Sequence, residues 1–287
     1  MSQFANAAGR EPQLAYSEIQ DKMHDEQTRR QKAGKIIRVL HHHLGRADLK
    51  GFATLDIGCS VGVIASELAA DGAISTGVDI DAPGLKEAEA NFGDRVNFIC
   101  TSADDLPMRN ESVDVVVFNH IYEHVVDADA VMQEIHRVMK PTGVAYLGLA
   151  NKYQLIEPHY GLPLLSWLPQ KAADQYIRRS GRAPHYYERH LSRAGLKHLL
   201  RGFHIYDYTV PVIRHPDVFG SDDQVMSAVS RLPVPLIQAL IPIVPTYVWI
   251  GTKRHMPPGS SEAHEGLKHL DLTATRPTVI QHRTNAR

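Results

Sequence analysis

The sequence predicts an α/β fold with a doubly wound, mostly parallel sheet of seven strands. Short apolar runs alternate with helical patterns along the chain, which is typical of a parallel sheet covered by helices on both faces. The run at 113–119 is apolar at almost every position, as expected of a central strand that is buried on both sides. A glycine-containing turn follows the first strand, which indicates that the carboxyl edge of the sheet binds a ligand.

The strands and helices are predicted from local periodicity and from bounding turn residues. The predicted strands are 52–57, 74–80, 96–100, 113–119, 144–150, 203–210 and 246–253. The predicted helices are an N-terminal helix over 14–45, then 63–70, 82–92, a segment ending at 138, 171–182 and 192–202.

Composition places the chain among ordinary globular proteins. It has 287 residues, of which 43% are hydrophobic and 22% charged, and a formal net charge of −1. A near-neutral chain is not typical of a nucleic-acid binder, so no nucleic-acid partner is predicted. Two cysteines cannot form a disulfide framework, which predicts a cytoplasmic protein. Contact with the inner membrane surface stays open, although no apolar run is long enough to span a bilayer.

The predicted domain organisation is simple. One domain covers 14–254, with a cofactor-binding core at 52–151. Residues 1–13 are predicted to be flexible. From 255 to 287 the composition turns to Gly, Pro, Ser, Thr and charge, which predicts a disordered tail.

The turn after the first strand has the pattern Asp56-x-Gly58-x-Ser60-x-Gly62. A dinucleotide-binding turn, G-x-G-x-x-G, would need glycine at positions 60 and 63. Ser60 and Val63 stand there instead, which argues against an NAD(P)-dependent oxidoreductase. Glycines in such a turn let the backbone approach a ligand closely.

This pattern resembles the first motif of class I S-adenosylmethionine-dependent methyltransferases of the type 11-like group, acidic-x-Gly-x-Gly-x-Gly, with Ser60 in place of the middle glycine. The resemblance covers 52–151 well. It implies a Rossmann-like methyltransferase fold and S-adenosyl-L-methionine as cofactor. It also implies an antiparallel last strand beside the fifth, and an N-terminal helix that closes over the cofactor. In such a fold Asp56, Gly58, Ser60 and Gly62 would form the first cofactor contact.

Other predicted cofactor contacts lie at the ends of the next strands. Asp79, followed by Ile80, ends the second strand about 20 residues after the glycine turn, where a carboxylate can accept hydrogen bonds from ribose hydroxyls. The resemblance places Ser102 and Ala103 at the adenine ring. Ser102 replaces the acid of many relatives, and Asp104 is an alternative contact.

Asn119 completes the predicted set of cofactor residues, because it ends the fourth strand. Four strand ends, at Gly58, Asp79, Ser102 and Asn119, would thus meet at one edge of the sheet.

The segment His120-x-x-Glu123-His124 follows the fourth strand and is the predicted catalytic group. Methyl transfer needs a base only when the acceptor carries a proton that it does not lose by itself, and His120 is the predicted base. In ubiquinone-pathway and small-RNA O-methyltransferases the comparable segment is Glu-x-x-Glu-His and binds a divalent metal. His120 departs from that pattern, so no metal is predicted. In the alternative interpretation, Glu123 and His124 begin a helix and make structural hydrogen bonds.

Two insertions, 152–190 and 211–245, are predicted to build the acceptor pocket as a lid or a membrane-contact surface, because both are apolar and rich in proline. In the first, His159, Tyr186 and Tyr187 are the predicted acceptor contacts. The three histidines at 41–43 are predicted to form an exposed helix end.

The predicted function is methyl transfer to a small-molecule or lipid- or glycan-linked acceptor, most readily on oxygen. Transfer to nitrogen, an oxidoreductase and a catalytically silent cofactor-binding module stay as alternatives. The sequence does not predict an oligomeric state.

Overall fold

The computed structural model describes residues 10–19, 24–220, 224–259 and 277–280. Its centre is an eight-stranded sheet with the order β10-β8-β9-β5-β4-β1-β2-β3. The strands of this sheet are β1 (Ala53–Ile57), β2 (Ile74–Asp79), β3 (Val96–Cys100), β4 (Val113–Asn119), β5 (Met139–Ala150), β8 (His204–Asp207), β9 (Thr246–Thr252) and β10 (Thr278–Ile280). A separate hairpin contains β6 (Ile156–Glu157) and β7 (Leu162–Pro163).

Helices cover the sheet and form most of the second insertion, 211–245. They are α1 (Tyr16–Ile19), α2 (Glu26–Leu44), α3 (Val63–Ala70), α4 (Ala82–Phe92), α5 (Ala128–Val138), α6 (Gln170–Arg179), α7 (Arg193–Leu199), α8 (Thr209–Arg214), α9 (Pro216–Phe219), α10 (Gln224–Ser230) and α11 (Val234–Leu240), with 3-10 turns at Leu165–Trp167 and Ile241–Ile243. No helix in the described part of the chain has both the length and the apolarity to cross a membrane.

The predicted doubly wound sheet is confirmed. Strands β3, β2, β1, β4 and β5 are parallel, and the chain reverses its direction of winding between β1 and β4. Strand β9 runs antiparallel between β5 and β8, as the resemblance implied. In such sheets ligands bind outside the carboxyl ends of the strands at the point of reversal, which here lies between β1 and β4.

The central strand β4 shows why the sheet is buried on both faces. Val115 and Val117 belong to the core beneath α2 and α3, whereas Val116 and Phe118 belong to the core beneath α5 and α7. All four side chains are fully buried. Because successive strand residues point to opposite faces, a continuous apolar run is what two-sided burial requires.

The eighth strand corrects the prediction of a tail disordered from 255 to 287. Thr278–Ile280 pairs antiparallel with β8 and buries Ile280 against the core. Three residues carry too little periodicity for the sequence to reveal such a strand. The other parts of the predicted flexible ends, 1–9, 260–276 and 281–287, lie outside the described residues.

Helix boundaries follow capping side chains. The predicted helix over 14–45 contains two helices, and α2 begins after Asp25, whose carboxylate accepts a hydrogen bond from the Thr28 N–H. Asp127 caps α5 in the same way, so residues 120–127 form turns ahead of that helix. These turns put the His120 segment at the strand end and not on a helix face.

The histidines at 41–43 are not an exposed helix end as predicted. His42 and His43 are buried, and each has its Nδ1 atom at the Tyr208 hydroxyl, at 3.0 and 3.2 Å. Phe219 of the second insertion packs against His42 with ring centroids 5.5 Å apart. The second insertion therefore covers the end of α2, a contact that no local pattern encodes.

Candidate active site

A cavity of about 620 Å³ opens at the carboxyl edge of the sheet where the winding reverses. Pockets of roughly 300–1,000 Å³ suit small-molecule and cofactor ligands. Most of the predicted site residues line it, namely Asp56, Gly58, Ser60, Asp79, Ile80, Ser102, Ala103, Asn119, His120, His124 and His159. The strand ends that were expected to meet do so.

The glycine turn is built from left-handed backbone. Gly58, Ser60 and Gly62 have φ values of 75°, 47° and 77°. Such values favour glycine, so the serine at the middle position is a strained substitute. Gly58 also admits Ile121, because a Cβ atom on Gly58 would lie 2.1 Å from the Ile121 Cδ1 atom.

Gly62 has a different role from the one predicted. A Cβ atom there would lie 2.7 Å from Phe98 and 2.8 Å from Ala88, so Gly62 provides close packing against β3 and α4. Gly62 lies behind the turn, whereas Gly58, Ser60 and Ile64 line the cavity.

Asp79 is held rigidly at the cavity. Its Oδ2 atom accepts a hydrogen bond from the Ser60 N–H at 2.7 Å, and its Oδ1 atom accepts one from the Asp81 N–H at 2.9 Å. Burial raises the pKa of this carboxyl above its ordinary value, and the two backbone donors oppose the rise. Asp81 faces elsewhere, because its carboxylate caps α4 and accepts hydrogen bonds from Ser17.

Asp56 and Arg29 form a buried pair of opposite charges on the cavity wall. Burial raises the pKa of Asp56 to about 7, and the positive charge of Arg29 opposes this rise. In the described part of the chain, Asp56 Oδ2 has no hydrogen-bond partner. Arg29 comes from α2 and also donates to the Cys59 carbonyl at 3.3 Å. Sequence reasoning missed Arg29, because nothing in a charged helix distinguishes it from the other arginines there.

Asn119 reaches the cavity because Gly148 makes room for it. A Cβ atom on Gly148 would lie 2.0 Å from the Asn119 Oδ1 atom. The next residue, His120, has φ 58°, another left-handed backbone conformation, and its N–H donates to the Gly148 carbonyl at 2.8 Å. The chain therefore turns sharply at the end of β4 and directs the imidazole of His120 towards the cavity.

His120 lies between two polar partners. Its Nε2 atom is 3.2 Å from the Thr246 hydroxyl, and its Nδ1 atom is 3.4 Å from Glu123 Oε1. Burial alone would raise the pKa of Glu123, but interaction with His120 first, and then with His124 and His190, holds it at about 2. The Glu123 side chain is fully buried, so these histidines are its immediate polar surroundings.

His124 and His159 meet across the cavity wall. Their Nε2 atoms are 3.2 Å apart, and the rings are nearly perpendicular. Burial lowers the pKa of His124 to about 3, so its ring is neutral at neutral pH. Burial also lowers the pKa of His159, but the hydrogen bond to Glu157 and the other nearby carboxylates outweigh it and raise that pKa.

The other predicted acceptor contacts lie behind the cavity wall. Tyr186 packs within the first insertion, and its hydroxyl is 2.8 Å from His190 Nδ1. The Tyr187 hydroxyl donates to the Glu11 carbonyl at 2.6 Å. The first insertion contributes Pro158 and His159 to the wall, whereas none of the described residues of the second insertion lines it.

Residues 10–16, called here the N-terminal strap, form a further part of the wall through Arg10, Pro12, Gln13 and Tyr16. The Arg10 guanidinium donates to the Val125 carbonyl at 2.8 Å and also to the Glu123 carbonyl. It lies 4.3 Å from the centre of the Tyr187 ring. The strap overlaps the start of the predicted helix over 14–45, which was expected to close over the cofactor.

Comparison with known proteins shows what the core of the chain is similar to. Residues 55–147 match the family model described as a methyltransferase domain. The ubiquinone biosynthesis O-methyltransferase of Pseudomonas syringae pv. tomato is 33% identical over 147 residues, which cover 47% of this chain and 62% of that relative. The chain thus matches less than two thirds of the length of this curated relative.

Solved structures agree on the fold. A chain from the complex of the Haloferax volcanii Trm112 methyltransferase activator with a methyltransferase superposes with a TM-score of 0.54 at 17% identity, covering 85% of this chain and 99% of that one. A methyltransferase of Methanosarcina mazei gives a TM-score of 0.50 at 18% identity, and the superposition covers 75% of this chain and 96% of that one.

The methyltransferase-domain match makes S-adenosylmethionine the cofactor of this core, and the cavity fits that molecule. Asp79 faces the cavity as a hydrogen-bond acceptor, and Asp56 Oδ2 and Ser60 Oγ are buried polar atoms without partners among the described residues. Buried polar atoms of this kind are costly unless a ligand or water satisfies them.

Proposed function

We propose that this protein, whose residues 55–147 form an S-adenosylmethionine-dependent methyltransferase domain, transfers the methyl group to an oxygen atom of a small-molecule or lipid-linked acceptor. Its similarity to a ubiquinone biosynthesis O-methyltransferase supports oxygen as the target. In the reaction the acceptor oxygen forms a bond to the methyl carbon while the carbon–sulfur bond breaks. The bonding electrons return to sulfur, which leaves as the neutral thioether of S-adenosylhomocysteine.

The proposed cofactor position uses charges of both signs. The adenosyl ribose would donate its hydroxyls to Asp79, and the adenine would lie at Ser102 and Ala103. The methionine end carries a carboxylate and an ammonium group, which are complementary to the Arg29 guanidinium and the Asp56 carboxylate on the same wall. An ammonium group beside Asp56 would also favour the ionised form of that carboxyl.

Positioning is the main catalytic contribution in this proposal. Holding the acceptor oxygen in line with the methyl carbon can lower the barrier by about 7–11 kcal/mol. The remaining task is to accept the hydroxyl proton, for which His120 is the proposed base. Glu123 Oε1, 3.4 Å from its Nδ1 atom, would stabilise the imidazolium that forms.

Exposed apolar side chains beside the cavity support an acceptor with a lipid-like part. Tyr153, Leu155, Ile156, Leu164 and Trp167 are each at least 39% exposed. They lie on and around the β6–β7 hairpin, whose loop carries the cavity residues Pro158 and His159. Surface clusters of this kind are typical of interaction sites for apolar partners. A cytoplasmic protein that works at the inner membrane surface would suit this pattern.

The observation that carries the proposal is the carboxylate of Asp79, fixed by two backbone donors and facing the cavity at the carboxyl edge of the sheet. Calorimetric titration with S-adenosylhomocysteine and with NAD tests it, and tight binding of the former alone is expected. Methyl-labelled S-adenosylmethionine, offered with hydroxylated aromatic and prenylated acceptors, then tests transfer. NAD binding without S-adenosylhomocysteine binding would overturn the proposal.

The role of His120 has its own test. Loss of the proton acceptor in His120→Ala should lower the turnover rate on a hydroxyl acceptor by about 10²–10⁴-fold. Affinity for S-adenosylhomocysteine should stay within a few-fold of that of the parent. Full turnover by His120→Ala would remove the histidine from the mechanism.

A further inference from the structure

We propose that Thr246 positions His120 for proton transfer, a role that rests on the proposed function, in which His120 is the base. The Thr246 hydroxyl lies at one nitrogen of the imidazole, and the Glu123 carboxylate lies at the other. Imidazole bases are commonly held in this way, between a hydroxyl group and a carboxylate. Thr246 acts through the ring and takes no part in the bonds to the methyl group.

The two contacts lie at opposite nitrogens of the His120 ring. The Thr246 Oγ1 atom is 3.2 Å from His120 Nε2, and the Glu123 Oε1 atom is 3.4 Å from His120 Nδ1. Within the part of the chain that the structure describes, the threonine hydroxyl is the one hydrogen-bond partner of the ring. Rotation of the imidazole would lose this bond and move Nδ1 away from the carboxylate, so the two partners together define one ring orientation.

The carboxylate decides which ring nitrogen carries the proton. A carboxylate oxygen accepts hydrogen bonds and donates none, so the nitrogen beside Glu123 is favoured as N–H. The neutral ring then has its lone pair on Nε2, where the Thr246 hydroxyl donates to it. Nε2 is therefore the atom that takes up a proton, and Thr246 contacts this atom.

A hydroxyl group suits this position because it can both donate and accept. While the ring is neutral, the Thr246 O–H donates to the Nε2 lone pair. In the transfer step the O–H bond of the acceptor breaks, its proton binds Nε2, and the oxygen electron pair forms the bond to the methyl carbon. The Thr246 hydroxyl then turns about its C–O bond, and its oxygen accepts from the new Nε2–H. The ring thus keeps one orientation before and after it is protonated.

The ends of three neighbouring strands bring Thr246 and His120 together. Thr246 begins β9 and pairs with Ala150, the last residue of β5. His120 follows β4, and its N–H donates to the Gly148 carbonyl, also on β5. Because β5 lies between β4 and β9 in the sheet, its last residues hold both partners of the contact in register.

Asn151, directly after β5, fixes the chain that leads into Thr246. Its side chain is fully buried, and its amide donates to the carbonyls of Pro242 and Val244, both at 2.8 Å. The Asn151 N–H donates to the Pro245 carbonyl at 3.0 Å. These hydrogen bonds hold the segment immediately before Thr246, so its hydroxyl has a defined position.

Fold stability gives little reason for the contact between Thr246 and His120. The His120 side chain is 32% exposed, so water could satisfy the ring nitrogens. The His120 backbone nevertheless has the left-handed φ of 58°. Strained backbone of this kind persists only where the surrounding structure holds it, and it is concentrated at functional sites. A partly exposed imidazole with a partner at each nitrogen therefore points to a requirement for one orientation.

Nitrogen NMR of the histidine-labelled full-length protein tests the contact without any acceptor. In slightly alkaline buffer, the parent His120 Nε2 should resonate as an unprotonated nitrogen that accepts a hydrogen bond. In Thr246→Val, which replaces the hydroxyl by a methyl group, the resonance should move to the position of an unbonded nitrogen, and Thr246→Ser should restore it. The spectrum of His120→Ala identifies the resonance. A protonated Nε2 in the parent, or an unchanged resonance in Thr246→Val, would overturn the proposal.

Turnover distinguishes positioning from a structural role. With methyl-labelled S-adenosylmethionine and catechol as the acceptor, Thr246→Val should lower kcat by about 3- to 10-fold, the effect of one neutral hydrogen bond, at unchanged KM. Thr246→Ser should keep most of the parental kcat. In the His120→Ala background Thr246→Val should have no further effect, because the threonine acts only through the ring. An equal loss in both backgrounds would also overturn the proposal.

The matched control is Thr252→Val, at the other end of β9, which removes a hydroxyl that donates to the Arg254 carbonyl. This variant should keep the parental Nε2 resonance and kcat. Melting curves and S-adenosylhomocysteine affinity show that each variant is folded, and Thr246→Ala replaces Thr246→Val if the latter is not. Failure of the parent to methylate catechol would count against the proposed function and not against the contact, which the NMR result decides.

Discussion

The Asp79 carboxylate accepts a hydrogen bond from the Ser60 N–H at 2.7 Å, so the end of β2 is tied to the turn that follows β1. Its other oxygen accepts from the Asp81 N–H. Two neighbouring strand ends thus form one rigid unit facing the cavity. Preorganisation of this kind reduces the entropy that a ligand would otherwise lose on binding.

Removal of this carboxylate should weaken cofactor binding. Asp79→Ala removes the proposed ribose acceptor and also the hydrogen bond that holds the Ser60 N–H. Hydrogen bonds to charged groups contribute about 1.5–3 kcal/mol each, so affinity for S-adenosylhomocysteine should fall by at least about 10-fold. Isothermal titration calorimetry measures the change.

The control for this experiment is Asp105→Ala, which removes an exposed carboxylate close in sequence to the cavity residues. Its affinity should equal that of the parent. Equal affinities for the parent and Asp79→Ala would contradict the proposed position of the ribose.

Backbone strain at Ser60 predicts that glycine is tolerated at this position and that valine is destabilising. Ser60→Gly should leave the free energy of unfolding within about 1 kcal/mol of the parent, because glycine adopts φ 47° freely and the serine hydroxyl has no partner in the described residues. Ser60→Val should lower it by about 1–3 kcal/mol, because a β-branched residue is disfavoured there. Urea unfolding measures both values, and equal stabilities would mean that the turn is unstrained.

The buried histidines at the end of α2 predict acid sensitivity. Burial lowers the pKa of His42 to about 4 and that of His43 to about 3, from an ordinary value of 6.5. Below pH 6.5 the unfolded chain therefore binds more protons than the folded one. The contribution to stability is complete above pH 6.5 and is lost as the pH falls towards 4 and then 3.

Replacing His43 tests the predicted direction in which stability changes with pH. In His43→Phe the slope of unfolding free energy against pH, between pH 4 and 6, should fall by about 1.4 kcal/mol per pH unit. The raised pKa of Asp56 makes its contribution to the unfolding free energy change with pH in the opposite direction. Asp56 is present in both proteins, so this contribution cancels in the comparison. His198→Gln, which removes an exposed histidine, should keep the parent slope. An unchanged slope in His43→Phe would show that this histidine titrates normally.

The N-terminal strap should slow release of the cofactor. Arg10→Ala removes the hydrogen bonds to the 123 and 125 carbonyls and the contact with the Tyr187 ring. Loss of about 1 kcal/mol of closure energy corresponds to dissociation of S-adenosylhomocysteine roughly 5-fold faster. Stopped-flow displacement measures the rate. Arg38→Ala, on the side of α2 that faces α9, is the matched control and should have no effect.

Much of the architecture could be predicted because its signals are local. The bounds predicted for α3, α4, β3 and β4 agree with the structure, since apolar periodicity and capping residues act within a few positions. The cofactor edge followed from the order of the strands. The eighth strand and the burial of the histidines at 41–43 were missed, because both depend on segments far away in the chain.

The sequence by itself therefore determined the doubly wound sheet, the turn at Gly58 and the carboxylate at Asp79, because each is encoded by neighbouring residues. Only the tertiary structure decided that Arg29 joins the wall of the cavity and that His159 faces His124 at 3.2 Å. Helix packing and the path of an insertion bring these side chains together. Such long-range contacts depend on the whole core, and a short stretch of sequence carries no pattern for them.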